Sequence, residues 1–214
     1  MAAPFRVALL GAESTGKTLL AAALAARLRE QNHTVTVVDE VLRGWCDARG
    51  RTPQAHEQQA IADEQARQVE TATGSQIVLA DTTALTIAVY SDLLFNDITL
   101  YPAALAHQRS YGLTLLMGLD IAWVADGLQR DGPQVRAPVD ARFRQALENA
   151  AIPYSVVYGQ GEARTRHALA TLRRALQPAP TGNAATAWVC GNCGDPACEQ
   201  QLFSRLVKRP AATD

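Results

Sequence analysis

The residues with the clearest chemical meaning form a glycine-rich segment near the start of the chain. Residues 11–18, Gly-Ala-Glu-Ser-Thr-Gly-Lys-Thr, match the phosphate-binding pattern G-x-x-x-x-G-K-[S/T] at every fixed position. Glycines let successive backbone N–H groups point at phosphate oxygens, and a helix that begins here adds its positive end. The pattern predicts a nucleoside triphosphate site with Lys17 on the β- and γ-phosphates and the Thr18 hydroxyl on Mg²⁺. The predicted nucleotide-binding residues are Gly11, Glu13, Ser14, Thr15, Gly16, Lys17 and Thr18.

Two apolar runs that end in acidic residues supply the second part of such a site. Residues 77–81 place Asp81 at the end of a predicted strand, where a carboxylate holds Mg²⁺ directly or through water. Residues 33–38 precede Asp39 and Glu40, and ligands of open α/β sheets lie at the carboxyl ends of strands. The connection between Lys17 and Asp39 is shorter than the one that motor ATPases usually have. We therefore assign Asp81 to the metal and the Asp39–Glu40 pair to the substrate, the alternative being strand-end caps or solvated charges.

A later segment, residues 126–136, combines glycines with arginines at 130 and 136. Phosphoryl transfer develops charge on the transferring group, and an arginine on a closing lid stabilises that charge while excluding water. We predict this role for Arg130. The alternative is a surface loop with solvated arginines.

Short apolar runs alternate with helical segments around these residues, and this alternation predicts an α/β fold. A mostly parallel five-stranded sheet with helices on both faces is expected. Residues 1–177 would form this domain, and residues 178–214 a linker and cysteine-containing tail. Segment 52–73 is predicted to be one long, well-solvated helix. Strands are predicted at 5–10, 33–38, 76–81, 113–117 and 154–158, and the other helices at 19–29, 41–50, 83–95, 101–110, 138–149 and 162–176.

Composition limits the classes of partner. The chain has 214 residues, enough for one good core, with 20 Lys and Arg against 21 Asp and Glu. This balance gives no positive field for nucleic acid or acidic membranes, so a small-molecule substrate is expected. No apolar segment approaches the roughly 20 residues of a membrane span, and we expect a cytoplasmic protein.

The tail carries Cys190, Cys193 and Cys198 in a C-x-x-C-x-x-x-x-C arrangement. Two thiolates at C-x-x-C spacing suit Zn²⁺, and we predict a possible structural zinc site. The tail lacks histidine, so Cys46, His167, Asp195 or a partner chain would supply a fourth ligand. Redox-active thiols are the alternative. Apolar residues within 202–207 at helical spacing are expected to pack on the core or on a second subunit, giving a possible homo-oligomer.

Taken together, these motifs resemble the kinase domain of NadR-type proteins, the AAA-like ribosylnicotinamide kinases of the P-loop NTPase superfamily. The resemblance runs from about residue 5 to 176 in the order of that family. It is carried by residues 11–18, Glu40-x-x-Arg43, Ala80-Asp81-Thr82, the Trp-Val-Ala-Asp-Gly-Leu-Gln-Arg segment 123–130 and Ile152-Pro153-Tyr154.

The resemblance implies a P-loop kinase fold that uses ATP and Mg²⁺ to phosphorylate the 5′-hydroxyl of nicotinamide riboside, a step of NAD salvage. Family members often have Asp-Thr-Asp where this chain has Asp-Thr-Thr, ending at Thr83. Which of Glu40, Asp39 and Asp81 is the base stays open. By position, the resemblance implies catalytic roles for Lys17, Glu40, Asp81 and Arg130, substrate contacts by Asp39, Glu40 and Arg43, and a metal site at Thr18 and Asp81.

Two other functions remain compatible with the residues. The first is a kinase of the same fold that acts on another nucleoside or small hydroxyl compound. The second is an ATP-binding regulatory module that acts through a protein partner. No Asn/Thr-Lys-x-Asp motif follows the phosphate-binding segment, so the sequence does not favour guanine recognition.

Overall fold

A computed structural model describes residues 3–124 and 132–177 of the chain. Its five strands form one sheet in the order β2-β3-β1-β4-β5, and every neighbouring pair is parallel. The predicted α/β fold is confirmed, with a sheet that is wholly parallel. The strands are β1 (Phe5–Leu10), β2 (Val35–Val38), β3 (Ile77–Asp81), β4 (Leu113–Met117) and β5 (Ser155–Val157).

Helices cover both faces of the sheet, as predicted. A short 3₁₀ turn, Ala55–Glu57, precedes the third helix, and another, Pro133–Val135, precedes the sixth. None of the helices in residues 3–124 and 132–177 combines the length and apolar character needed to cross a bilayer. The helices are α1 (Lys17–Glu30), α2 (Val41–Arg49), α3 (Gln58–Thr71), α4 (Ala84–Phe95), α5 (Tyr101–Gln108), α6 (Arg136–Asn149) and α7 (Gly161–Leu176).

The core divides into two main layers, one on each face of the sheet. Leu20, Leu24 and Leu28 of α1 pack with the α7 side chains against one face. Side chains of α3, α4 and α6 pack against the other, with Phe143 fully buried. Alternate residues of the strands point to opposite faces, so the apolar runs of β1, β3 and β4 serve both layers. This packing fixes the loops at the carboxyl edge.

Segment 52–73 differs from the single solvated helix that the sequence predicts. Pro53 lacks a backbone N–H, and the helix proper begins only at Gln58 after the 3₁₀ turn. Glu57 closes that turn by accepting the backbone N–H of Gln54 at 2.8 Å. The helix also presents a buried stripe with polar residues in it, comprising Gln58, Ile61, Ala62, Gln65 and Val69.

Candidate functional site

The phosphate-binding segment lies at the centre of the carboxyl edge of the sheet. It connects β1 to α1, and β1 is flanked by β3 and β4. Within the β1–β3 pair, Leu9 is aligned with Asp81, so the acid that ends β3 lies next to the start of this segment. Ligands of open α/β sheets bind at this edge.

The close approach of the phosphate-binding segment to β4 explains why residue 11 is a glycine. Gly11 has φ +150, and a Cβ placed on it would lie 2.8 Å from the Cβ of Met117 on β4. The second glycine, Gly16, has φ +75 and forms the cap of α1, and Ser14 has φ 55. These positive φ values turn the chain sharply into the helix. Thr18 follows in the first turn of α1 with its side chain exposed.

The ammonium group of Lys17 folds back over its own loop. Its Nζ donates to the carbonyl oxygens of Gly11 and Ala12, at 3.0 Å each. Burial lowers the pKa of Lys17 from its ordinary value, and the nearby carboxylates of Glu40, Asp81 and Glu13 oppose that shift. The cation is therefore held at the loop and faces three acids.

The acids that follow β2 and end β3, Glu40 and Asp81, thus both act on Lys17. Glu40 is only partly exposed, and its Oε2 lies 3.6 Å from the Nε of Arg43 one turn along α2. The side chain of Asp39 is exposed and is not among the groups that act on Lys17. Of the two acids after β2, Glu40 is thus the one beside the phosphate-binding segment.

Asp81 carries an oxygen that the protein itself does not satisfy. Its side chain is 2% exposed, and Oδ1 has no hydrogen-bond partner among the described residues. A buried carboxylate oxygen without a donor suits a cation. No cluster of three or more His, Cys, Asp or Glu residues suited to a metal occurs in residues 3–124 and 132–177. Mg²⁺ commonly takes only one or two carboxylates and completes its shell with phosphates and water, so Asp81 and the Thr18 hydroxyl fit it.

Gln65 fixes the backbone on both sides of Glu40. Its Oε1 accepts the N–H of Val41 at 2.9 Å, and its Nε2 donates to the carbonyl oxygen of Asp39 at 3.3 Å. The side chain is fully buried on α3. Sequence reasoning missed this residue, although a glutamine on the apolar stripe of an amphipathic helix is a signal that could have revealed it.

Thr83 stands where the resembling family often has a second acid, and here it supports the turn after β3. Its hydroxyl accepts the N–H of Leu85 at 3.2 Å and donates to Oε1 of Gln108 at 2.7 Å. Gln108 then donates to the hydroxyl of Thr114 at 3.0 Å. This buried chain of hydrogen bonds links the turn after β3 to α5 and β4.

Arg164 of α7 is a second residue that sequence reasoning missed. Its Nη2 donates to the carbonyl oxygen of Thr15 at 3.0 Å, and its Nη1 donates to that of Gly159 at 3.0 Å. Burial lowers the pKa of Arg164, Asp120 opposes the shift, and nearby Arg136 adds to it. No motif or spacing in the sequence marks this arginine, because its partner in the phosphate-binding segment is a backbone carbonyl 149 residues away.

Arg136 brings a further positive charge to the same side of the site. It is the first residue of α6 and is 7% exposed. Its Nε and Nη2 have no hydrogen-bond partner among the described residues. Arg164 bonds the phosphate-binding segment and Arg136 acts electrostatically on Arg164, and two buried guanidinium groups favour an anion on this side of the site.

Ser14 links the phosphate-binding segment to Val124, the residue just before residues 125–131. Its Oγ donates to the carbonyl oxygen of Val124 and accepts the N–H of Val124, both at 2.9 Å. The hydroxyl of Thr15 is also engaged within the protein, since it donates to the carbonyl oxygen of Ala12 at 2.7 Å. These two hydroxyls stabilise the shape of the segment through hydrogen bonds within the protein.

Two sets of predicted residues lie outside the described ones. Arg130 falls in residues 125–131, and Cys190, Cys193 and Cys198 fall in residues 178–214. The lid arginine and the zinc site therefore stay predictions. Cys46, one of the suggested fourth zinc ligands, is buried in α2.

A parallel sheet in which a phosphate-binding segment follows the central strand defines the P-loop NTPase fold. The family model described as AAA domain matches residues 6–164. The chain belongs to that family. A comparison with curated proteins finds no match.

Solved structures share the fold at low sequence identity. The NadR protein in complex with NR has a TM-score of 0.65 and 19% identity, over 80% of this chain and 50% of that one. A deoxyadenosine kinase from M. mycoides has a TM-score of 0.56 and 12% identity, over 79% of this chain and 100% of that one. A thymidylate kinase from Ehrlichia chaffeensis has a TM-score of 0.56 and 13% identity, over 82% of this chain and 100% of that one. This chain matches half the length of the NadR chain.

Proposed function

We propose that this protein is an ATP-dependent small-molecule kinase that phosphorylates the 5′-hydroxyl of nicotinamide riboside to give the mononucleotide. The observation that carries the proposal is the position of Glu40, which follows β2, the strand next to β3, and acts electrostatically on Lys17. Phosphoryl transfer to a hydroxyl needs an acid on the substrate side and a lysine on the phosphate side.

In the proposed mechanism, the N–H groups of residues 11–18 and Lys17 bind the triphosphate, and Arg136 contacts its terminal part. Glu40 orients the acceptor hydroxyl and takes its proton as the oxygen attacks the γ-phosphorus in line. Arg43, 3.6 Å from Glu40, contacts the acceptor on the same side. Arg130 closes over the transferring group.

Thr18 and Asp81 would hold Mg²⁺, whose positive charge neutralises the phosphate oxygens when it is bound. The orphaned Oδ1 of Asp81 supports this assignment. In this proposal residues 1–177 form the catalytic domain and residues 178–214 an appended tail.

The choice of nicotinamide riboside as the phosphate acceptor is the more specific part of the proposal. It is supported by the motifs that resemble ribosylnicotinamide kinases and by the fold shared with the NadR protein solved in complex with NR. The deoxyadenosine and thymidylate kinases that share the fold make other nucleosides the nearest competitors.

The test is a multiple-turnover assay with ATP and Mg²⁺ that follows products by mass spectrometry. Nicotinamide riboside is run beside adenosine, deoxyadenosine, cytidine, uridine and thymidine, with Lys17→Ala as the inactive control. Mononucleotide formed fastest from nicotinamide riboside and lost in Lys17→Ala supports the proposal. Faster phosphorylation of another nucleoside would replace the acceptor, and no phosphorylated product would overturn the kinase assignment.

A further inference from the structure

The side chain of Gln58, the first residue of α3, is buried with an amide oxygen that has no hydrogen bond to any described residue. It is 2% exposed, and its Oε1 has no partner among the described residues. A buried amide oxygen left unpaired costs free energy, so a ligand that donates a hydrogen bond to it would remove that cost.

The direction of α3 places Gln58 beyond the carboxyl edge of the sheet. Gln65, on the same buried stripe, contacts the backbone at the end of β2. From there α3 runs toward the amino edge, where the chain enters β3 at Ile77. Gln58 lies two turns in the opposite direction, about 10 Å farther along the helix axis. This is the region outside the strand ends, on the helix that holds the backbone around Glu40 through Gln65.

Aromatic side chains border the core cluster to which the residues one turn along α3 belong. Ile61 and Ala62, one turn along α3 from Gln58, belong to a core cluster against which Trp45, Tyr90 and Tyr101 pack as partly buried aromatic residues. Aromatic and apolar walls with a few fixed polar groups are typical of sites for small planar ligands.

A second buried polar group on this layer also lacks a partner. Thr86 lies in the first turn of α4, which packs against α3, and is 2% exposed. Its Oγ1 has no hydrogen-bond partner among the described residues. In the described part of the chain, buried polar groups without a partner thus occur on both α3 and α4.

We propose that Gln58 determines the specificity for the acceptor by pairing its amide with a planar ring that presents an N–H donor beside a carbonyl or ring-nitrogen acceptor. This inference rests on the proposed function, because it places the ring of the phosphate acceptor between α2, α3 and α4. The carboxamide of nicotinamide riboside has such an edge, and so do the pairing edges of nucleobases. A carboxylate offers only acceptors, so nicotinic acid riboside satisfies Nε2 and leaves Oε1 unpaired.

The experiment compares the wild type with Gln58→Leu, which keeps the side-chain size and removes both polar atoms, and Gln58→Glu, which keeps an acceptor. Gln59→Leu on the exposed side of the same helix is the matched control. Calorimetry measures binding of nicotinamide riboside, nicotinic acid riboside, adenosine, cytidine and uridine in the presence of a non-hydrolysable ATP analogue. Circular dichroism checks folding, and kcat and KM are measured for each ligand that is phosphorylated.

We expect Gln58→Leu to bind the preferred nucleoside about 10- to 100-fold more weakly, with ATP analogue binding unchanged. Gln58→Glu should reject nicotinic acid riboside more strongly than the wild type does, because two carboxylates would face each other. Equal nucleoside affinity in the wild type and Gln58→Leu would overturn the inference, and so would absence of binding by any nucleoside of the panel. Binding that depends on Gln58 without phosphoryl transfer would contradict the proposed function alone.

Discussion

The side-chain amide of Gln65 bonds the carbonyl oxygen of Asp39 at 3.3 Å and also the N–H of the residue after Glu40. The helix α3 thereby fixes the backbone around Glu40, the proposed acid on the acceptor side. Because both polar atoms of its buried amide are bonded to backbone groups, Gln65 has none left for a ligand. It acts on the site by positioning Glu40.

Replacing Gln65 with Leu should lower kcat roughly tenfold while the affinity for ATP stays unchanged, because small displacements of a catalytic group slow transfer. Two backbone groups at the end of β2 would also lose their partner, at a cost of about 1–3 kcal/mol in the free energy of unfolding. Steady-state kinetics, ATP calorimetry and urea denaturation measure these effects. Gln59→Leu should change none of them, and an unaltered kcat in Gln65→Leu would contradict the positioning role.

Replacing Thr83 with Val should destabilise the protein by about 1–3 kcal/mol, since α4 loses its N-cap and Gln108 loses a buried donor. Urea denaturation measures the change. Thr71→Val, which removes an exposed hydroxyl bonded to the carbonyl oxygen of Arg67, serves as the control and should have a small effect. A stability equal to that of the wild type would show that the hydrogen bonds of Thr83 are not needed for the turn after β3.

Replacing Ser14 with Ala should loosen the chain at Val124, whose N–H and carbonyl oxygen would both lose the hydroxyl. Hydrogen exchange at the Val124 amide should become roughly fivefold faster or more, consistent with the loss of one ordinary hydrogen bond. Amide exchange measured by NMR tests this. Ser75→Ala, which removes a hydroxyl at the start of β3, should leave Val124 unchanged. Unaltered exchange at Val124 in Ser14→Ala would show that the bond does not restrain it.

The start of α3 should weaken in acid because of Glu57. Hydrogen bonds from Arg51, with help from the N–H of Gln54, lower the pKa of Glu57 to about 2. The folded-state pKa is below the ordinary value of 4.5, so the contribution to stability is present above pH 4.5 and is lost as the pH falls toward about 2. NMR titration of the carboxyl carbon should show this pKa, and Arg51→Gln should raise it toward 4.5. A wild-type pKa near 4.5 would contradict the contact.

Much of the fold could be predicted from sequence because its signals are local. The apolar runs at Phe5–Leu10 and Leu113–Met117 are the strands β1 and β4 without change. The predicted helix at 83–95 also agrees, since Thr83 is the N-cap of α4. Gly50 at the end of α2 has the positive φ that ends helices, as its residue type suggests.

The supporting residues could not be predicted, because their partners are distant in sequence and are mostly backbone groups. Arg164 and the carbonyl of Thr15 are 149 residues apart. A sequence motif cannot mark the backbone carbonyl of Thr15, because that group does not depend on the type of residue. Polar composition also made α3 look solvated, although the spacing of Gln58 and Gln65 on its apolar stripe places both in the interior.

The most direct test is single-turnover transfer of the labelled γ-phosphate of ATP to nicotinamide riboside, measured for the wild type and for Glu40→Gln at saturating substrates. We predict labelled mononucleotide from the wild type, and at least about a hundredfold slower transfer in Glu40→Gln with ATP affinity retained. Transfer at the wild-type rate in Glu40→Gln, or no labelled mononucleotide from the wild type, would contradict the account.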